Sequence, residues 1–312
     1  MRTARVAAQA KLNLFLRIVG REPDGYHRLS TLFQRIALAD AVTVRADVHG
    51  RSLECAGADV GPVERNLAWR AAVAYAEAAA WPAGFAIEIE KRIPVGGGLG
   101  GGSADAAAVL RALDALAPHP LPEAQLHAIA FALGADVPYL TSTFALALGT
   151  GRGERLLALP PLPAREVLLL VPSFGVASKD AFAWHAARRG DVPYEGAAQL
   201  LPAPLSWKLV EKFAVNDLEE AVFERHQELR EIRETLAAVG ARVARMSGSG
   251  STIFGIFGDP SASAARPGVT GAARLVPPSG SGGAAIGIDL DFLGVELVPT
   301  ATVTEVAPVV VE

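Results

Sequence analysis

Apolar and polar positions along the chain fall into stretches of period two, stretches of helical period, and two runs of small residues that fit neither. Over residues 10–19, Leu12, Leu14, Leu16 and Ile18 fall on one face and Lys11, Asn13, Phe15 and Arg17 on the other, which predicts a strand. Pro23-Asp24-Gly25 marks a turn. After Tyr26 and His27, a second mixed run reaches about residue 44. Residues 66–80 are alanine-rich and predict a helix. Residues 85–91 alternate again, with Phe85, Ile87 and Ile89 opposite Ala86, Glu88 and Glu90, so one face of that strand is wet. Ala106, Val109, Leu110, Leu113 and Leu116 then recur at helical spacing. Residues 123–133 predict a helix ended by Gly134 in a left-handed conformation, 167–171 a strand, and 207–213 and 218–239 helices, the last ended by Gly240.

Between the strand at 85–91 and the helix that follows lies a run with six glycines in the seven positions from Gly96 to Gly102, interrupted only by Leu99. Strand, glycine run and helix make an anion site. Glycines let successive N–H groups point into one concavity, and the helix adds its positive N-terminal end. That glycine density costs chain entropy, so a plain turn explains it poorly. A P-loop is excluded, because it needs Gly-Lys-Ser/Thr and no lysine here follows a glycine. A dinucleotide fingerprint is present formally at Gly96, Gly98 and Gly101. However, the preceding strand alternates, where a central parallel strand would be buried on both faces. Pro94 and the lack of a second βαβ unit also count against an oxidoreductase. The second small-residue run, MSGSGSTIFGIF from Met246, leads into a strand.

Composition narrows the field. The 312 residues allow two lobes, and half are hydrophobic with a fifth charged. A net charge of −4 argues against a nucleic-acid binder, which needs a basic face. No apolar run approaches the ~18 residues of a membrane span. Arg2 and Arg5 are not followed by the apolar stretch of a secretion signal. Cys55 is the only cysteine, which fits a reducing compartment and is expected to be a small buried apolar side chain. The expectation is a cytoplasmic protein with no membrane contact and no obligate protein partner. The histidines show no metal spacing, so zinc is not expected. There are five lysines: Lys11, Lys91, Lys179, Lys208 and Lys212. From residue 258 to about 285 the chain is Gly, Ser, Ala and Pro and reads as linker, while 286–311 is strand-like but interrupted by Pro299 and Pro308.

The glycine run resembles the central signature of the GHMP kinases (galactokinase, homoserine kinase, mevalonate kinase, phosphomevalonate kinase). That signature is Pro-x-x-x-Gly-Leu-Gly followed by small residues, matched by Pro94, Gly98, Leu99, Gly100 and Gly101-Gly102-Ser103. AKLNLFLRI and MSGSGSTIFGIF sit where that family has its other blocks. AKLNLFLRIVGREPDGYHRLSTLFQ, GGGLGGGSADAA and LGADVPYL narrow the resemblance, over roughly residues 5–257, to members acting on a cytidine diphosphate-linked methylerythritol in non-mevalonate isoprenoid synthesis. Where relatives often carry two serines after the glycines, this chain has Ser103-Ala104.

The resemblance implies an α+β, two-lobed fold. Residues 1–160 would form a lobe like ribosomal protein S5 domain 2, residues 161–258 an α/β sandwich lobe, and 259–312 a tail left unassigned. It implies ATP with Mg²⁺ and phosphorylation of the substrate's 2-hydroxyl. Lys11 and Asp136 match the catalytic pair. Asn66, Pro94, Gly96, Gly97, Gly98, Leu99, Gly100, Gly101, Gly102 and Ser103 match the ATP-binding positions. Asn13, Tyr26, His27 and Phe182 fall where the small-molecule substrate binds, the aromatic groups suiting cytosine's flat face and polar edge. Plainer readings stand beside these: Lys11 a solvated strand lysine, Asp136 a turn residue before Val137-Pro138, Asn66 an N-cap, Phe182 a core residue. A relative acting on another alcohol such as mevalonate would keep the glycine run but need not keep Asp24-Gly25-Tyr26-His27.

Overall fold

Two twenty-residue strands, β1 (Arg2–Arg21) and β2 (His27–Ala46), pair as an antiparallel hairpin that organises the first half of the chain. In the computed structural model, residues 2–190, 194, 203–258 and 294–312 are described, together with the backbone of strands at 268–270, 274–276 and 288–289. β1 departs from simple alternation. Ala8 to Leu16 are buried without exception, Lys11 and Asn13 included. One cause is register: shifts at Gln9/Lys11 and Asn13/Phe15 turn Leu14 and Phe15 both into the core. The other is a cover, for the glycine run lies over the polar side and Leu99 O accepts Lys11 N at 3.0 Å.

β3 (Arg51–Ala56) follows, then α1 (Leu67–Ala79) and β4 (Phe85–Glu90), which pairs antiparallel to β2 and parallel to β3. The predicted wet face of β4 is present, with Phe85, Ile87 and Ile89 buried and both glutamates exposed. Asn66 caps α1, its side chain accepting from Ala68 N at 2.9 Å, a contribution of about 1 kcal/mol. α2 (Gly101–Leu116) begins within the glycine run, five residues before its apolar periodicity starts. Its alanines let it press closely on β1 and α1, and it is the most buried helix of the first half.

α3 (Glu123–Leu133) ends at Gly134, but not as expected. Gly134 is extended (φ 169°) and carries the chain straight into α4 (Val137–Thr141), a short helix with Pro138 in its first turn that periodicity could not reveal. β5 (Leu146–Gly151) pairs with β2 and with β6 (Arg155–Ala158).

The second sheet is built on β7 (Glu166–Pro172). Around it stand α5 (Ser178–Arg189), α6 (Trp207–Phe213), α7 (Glu219–Phe223) and α8 (Gln227–Ala238), then β8 (Val243–Met246) and β9 (Ile253–Ile256). The single helix predicted at 218–239 is therefore two. Glu219 is held by Met246 N at 2.8 Å while Val222 and Phe223 fill the core, and α8 turns to lay Leu229, Ile232 and Leu236 in that same core. Gly240 ends α8 as expected, at φ 97° in the left-handed region. Cys55 is half-buried on edge strand β3 rather than in the core.

Short strands β10 (Gly268–Thr270), β11 (Arg274–Val276) and β12 (Ile288–Asp289) pair with one another; the rest of the predicted linker lies outside the described residues. The last residues are not a loose tail. β13 (Val295–Ala301) adds to β7, giving the order β13-β7-β9-β8, and β14 (Val309–Val311) adds to β1, giving β14-β1-β2-β4-β3. Pro299 does not break β13, because an edge strand has one side on which no N–H is needed. β1 is stitched to the connection between α6 and α7, where Leu16 N donates to Val215 O (2.7 Å), Asp217 N to Leu16 O (3.0 Å) and Ile18 N to Asp217 Oδ2 (2.8 Å). Among the described residues no helix is long and apolar enough to cross a membrane.

Candidate active site

A cleft of about 1640 Å³ runs along the glycine run and on past the β1–β2 turn to α5. Asn66, Pro94 and all eight residues from Gly96 to Ser103 border it. The run is wedged against the second small-residue loop. A side chain at Gly98, whose φ is 75°, would put its first carbon 2.1 Å from Ser247 O. Only glycine permits that approach. Ser247 Oγ donates to Gly98 O (3.0 Å) and Thr252 N to Gly97 O (3.2 Å), while Leu99 is sunk in the core. The head of α2 therefore presents the amides of its first turn to the cleft, with no acidic side chain in that turn.

Next to this cradle lies Lys11, 3% exposed. Its ammonium donates to Asn13 Oδ1 (2.7 Å) and Gly98 O (3.0 Å) and stands 3.2 Å from Asp136 Oδ2. Asn13 is itself oriented, donating to Thr31 Oγ1 at 2.8 Å, which donates on to Phe15 O. Asp136 opens α4 but its side chain makes no capping hydrogen bond. Its partly exposed carboxylate borders the cleft and is paired with Lys11.

Sequence reasoning passed over what holds α4 in place. Arg35, buried on β2, donates to the carbonyls of Tyr139 (3.0 Å), Leu140 (2.8 Å), Ser142 (2.9 Å) and Phe144 (3.1 Å). Burial lowers its pKa to about 10, so it stays charged near neutrality, balanced by the carbonyl ends of the short helix. A lone arginine in the apolar middle of β2 was the available signal.

A second cluster escaped notice beneath the glycine run. Lys91 Nζ contacts Asp40 Oδ2 (2.5 Å) and Asp105 Oδ2 (2.7 Å), and Asp40 Oδ1 accepts from the amides of Arg92 (2.5 Å) and Ile93 (2.8 Å). Burial opposes the charge on Lys91, but the two carboxylates outweigh it and raise its pKa. Burial pushes Asp105 up to about 7, only partly offset by Lys91. Asp105 Oδ1 is buried without a partner.

The far end of the cleft is aromatic. Tyr26 is 59% exposed on the turn between β1 and β2. Arg152, from the turn between β5 and β6, lies with its guanidinium carbon 3.9 Å from that ring's centre. His27 stacks on Phe182 (5.1 Å, 18°), so these two form one wall. Burial chiefly, and then Arg21 and His185, lower the His27 pKa, leaving it neutral near pH 7. Its Nε2 is buried with no partner. An amide-lined anion cradle, a fixed ammonium–carboxylate pair and an aromatic wall suit phosphoryl transfer to a hydroxyl on a base-bearing molecule.

Comparison with known proteins agrees with this geometry. Residues 66–145 match the family model described as GHMP kinases N terminal domain, and residues 205–274 the one described as GHMP kinases C terminal. The chain is 40% identical over 257 residues to 4-diphosphocytidyl-2-C-methyl-D-erythritol kinase of Moorella thermoacetica, covering 81% of this chain and 89% of the relative. A crystal structure of 4-(cytidine 5'-diphospho)-2C-methyl-D-erythritol kinase superposes with a TM-score of 0.71 at 35% identity, covering 96% of this chain and 98% of that one. Homoserine kinase from Cytophaga hutchinsonii superposes with a TM-score of 0.65 at 18% identity, covering 100% of this chain and 97% of that one, a likeness of fold alone.

Proposed function

Since the chain belongs to the GHMP kinases, in the 4-diphosphocytidyl-2-C-methyl-D-erythritol kinase family, we propose that it phosphorylates the 2-hydroxyl of 4-diphosphocytidyl-2-C-methyl-D-erythritol with ATP. The observation that carries this reading is the Lys11–Asp136 pair, 3.2 Å apart at the edge of the glycine cradle, with Lys11 also bonded to Gly98 O. The triphosphate lies along Gly96–Ser103, held by backbone amides and the head of α2. The acceptor hydroxyl faces Asp136, which orients it and takes its proton as its oxygen bonds to the γ-phosphorus. The bond from that phosphorus to the bridging oxygen breaks, and ADP leaves. Lys11 balances the carboxylate and meets charge developing on the transferred group.

Magnesium, when bound with the nucleotide, would neutralise charge on the phosphates. Such an ion is carried mainly by the phosphates and needs only one or two protein oxygens. The Ser103 hydroxyl, bordering the cleft in the first turn of α2, fits that requirement, although no group of three or more His, Cys, Asp or Glu able to hold a metal ion is found among the described residues.

At the other end, the cytosine face stacks on Tyr26 while His27, which also borders the cleft, lies at its polar edge. Mevalonate offers nothing for this aromatic wall. The sole cysteine supports a cytoplasmic setting. The test is an assay in which the purified protein and ATP meet each alcohol in turn, with product read by phosphorus NMR. The cytidine compound alone should gain a phosphate at its 2-hydroxyl; phosphorylation of mevalonate alone would overturn the reading.

A further inference from the structure

Arg152 is remote in sequence from the residues it touches. The pairing of β5 with β2, which sets Leu29 opposite Gly151, brings the β5–β6 turn alongside the β1–β2 turn. There Arg152 reaches across three groups of the other turn at once. Its Nη2 and Nε donate to Glu22 Oε2 (2.5 and 2.9 Å), and Nη2 also meets Asp24 Oδ2. The other oxygen of Asp24 accepts Tyr26 N at 3.1 Å, and the guanidinium carbon sits over one face of the Tyr26 ring. Its own turn is fixed in return, for Arg152 N donates to Glu154 Oε2 at 2.6 Å.

The turn it grips has little else to fasten it. Pro23, Asp24 and Tyr26 are exposed, and the remaining bonds, such as Glu22 N to Tyr26 O (2.7 Å) and Gly25 N to Glu22 O (2.9 Å), are internal. Without Arg152 the Tyr26 ring would have to be ordered when ligand arrives, a cost charged against affinity. Two carboxylates already occupy the guanidinium, so it is poorly placed to serve as a phosphate anchor.

We propose that Arg152 is a positioning residue for base recognition, holding Tyr26 so that the ring's uncovered face is presented to a flat pyrimidine. This rests on the cytidine-substrate reading above and adds a residue and a role to it. Arg152 acts on ground-state binding of one substrate and leaves the triphosphate cradle and the Lys11–Asp136 pair untouched.

The experiment is steady-state kinetics of Arg152→Ala and Arg152→Lys with ATP and the cytidine substrate, alongside Tyr26→Ala and the Arg152→Ala/Tyr26→Ala double variant. Arg152→Ala should raise KM for the cytidine substrate about tenfold, while kcat and the KM for ATP stay within about twofold. Lysine should restore only part of the loss, since an ammonium cannot span two carboxylates and lie flat on a ring. Because Arg152 acts through Tyr26, the double variant should be no worse than Tyr26→Ala alone. Additive losses, an equal rise in the KM for ATP, or an unchanged KM for the cytidine substrate would overturn the proposal. Should Arg152→Ala fail to fold, Arg152→Lys in both Tyr26 backgrounds carries the same test. Wild-type protein inactive on the cytidine substrate would bring down the functional reading and this one together; an active wild type with an unchanged variant would bring down this one only.

Discussion

At one end of the cleft, Gly98 lies too near Ser247 O to carry any side chain, and the proposed binding surface is backbone. At the other end, Tyr26 stands 59% exposed on a turn fastened by charged side chains. The glycine cradle is built of groups every residue possesses, so it can read charge and shape but little else. The aromatic end is built of particular side chains, so it can read a particular base. A cradle of backbone fails when a neighbour gains an atom, whereas a wall of side chains fails when it loses one.

That contrast can be tested at several levels. The largest effect should come where the two ends meet: Asp136→Ala is expected to lower kcat by about 10²–10⁴, the usual range for a lost acid–base group, while ATP still binds by calorimetry. Near-normal turnover would remove Asp136 from the mechanism. Gly98→Ala should next abolish measurable ATP binding or destabilise the fold, because an added carbon 2.1 Å from Ser247 O must displace backbone at a residue already at φ 75°. Wild-type ATP affinity in that variant would mean the two loops do not abut.

His27→Ala acts by subtraction and should be milder. It should weaken the cytidine substrate about tenfold in KM and leave the KM for ATP unchanged; equal losses for both would count against base reading.

The smallest expected effect concerns the floor of the cradle. Burial raises the Asp105 pKa from 3.8 to about 7, so between those values the folded protein keeps a proton that the unfolded chain has released. Its contribution to stability therefore falls as pH rises through that window and is level above it. The groups facing it, Asp40 and Lys91, remain in Asp105→Asn, but position 105 no longer titrates. The Tm of the variant relative to wild type should shift in the variant's favour by a few degrees between about pH 4.5 and 7.5. Parallel profiles would show that Asp105 is ionised throughout.

Much of the local structure was legible where a single physical signal dominated. The alternation at 85–91 predicted β4, and Asn66 before the alanine-rich run predicted the cap of α1. The two glycine stops show the limit of such signals. Gly240 takes the left-handed conformation, but Gly134 is extended, because the chain there turns toward α4 and its conformation answers to that packing. Likewise the apolar pattern at 218–239 could not show that α7 and α8 divide at residues 224–226, since both pieces keep one apolar face on the same core. Pro299 looked like a strand breaker because its exposed edge is a property of the sheet and not of the residue.

By itself the sequence determined the kinds of element, the anion-binding character of the glycine run and, through the spacing of its motifs, the family. These are written in short windows, where periodicity, glycine content and capping act between neighbours. Only the tertiary structure decided that Lys11 meets Asp136, that Arg35 holds α4, that Arg152 lies over Tyr26, and that the last strands complete two sheets. Each of those contacts joins residues far apart in the chain. Strand register and the stacking of layers fix such distances, and no local propensity specifies either.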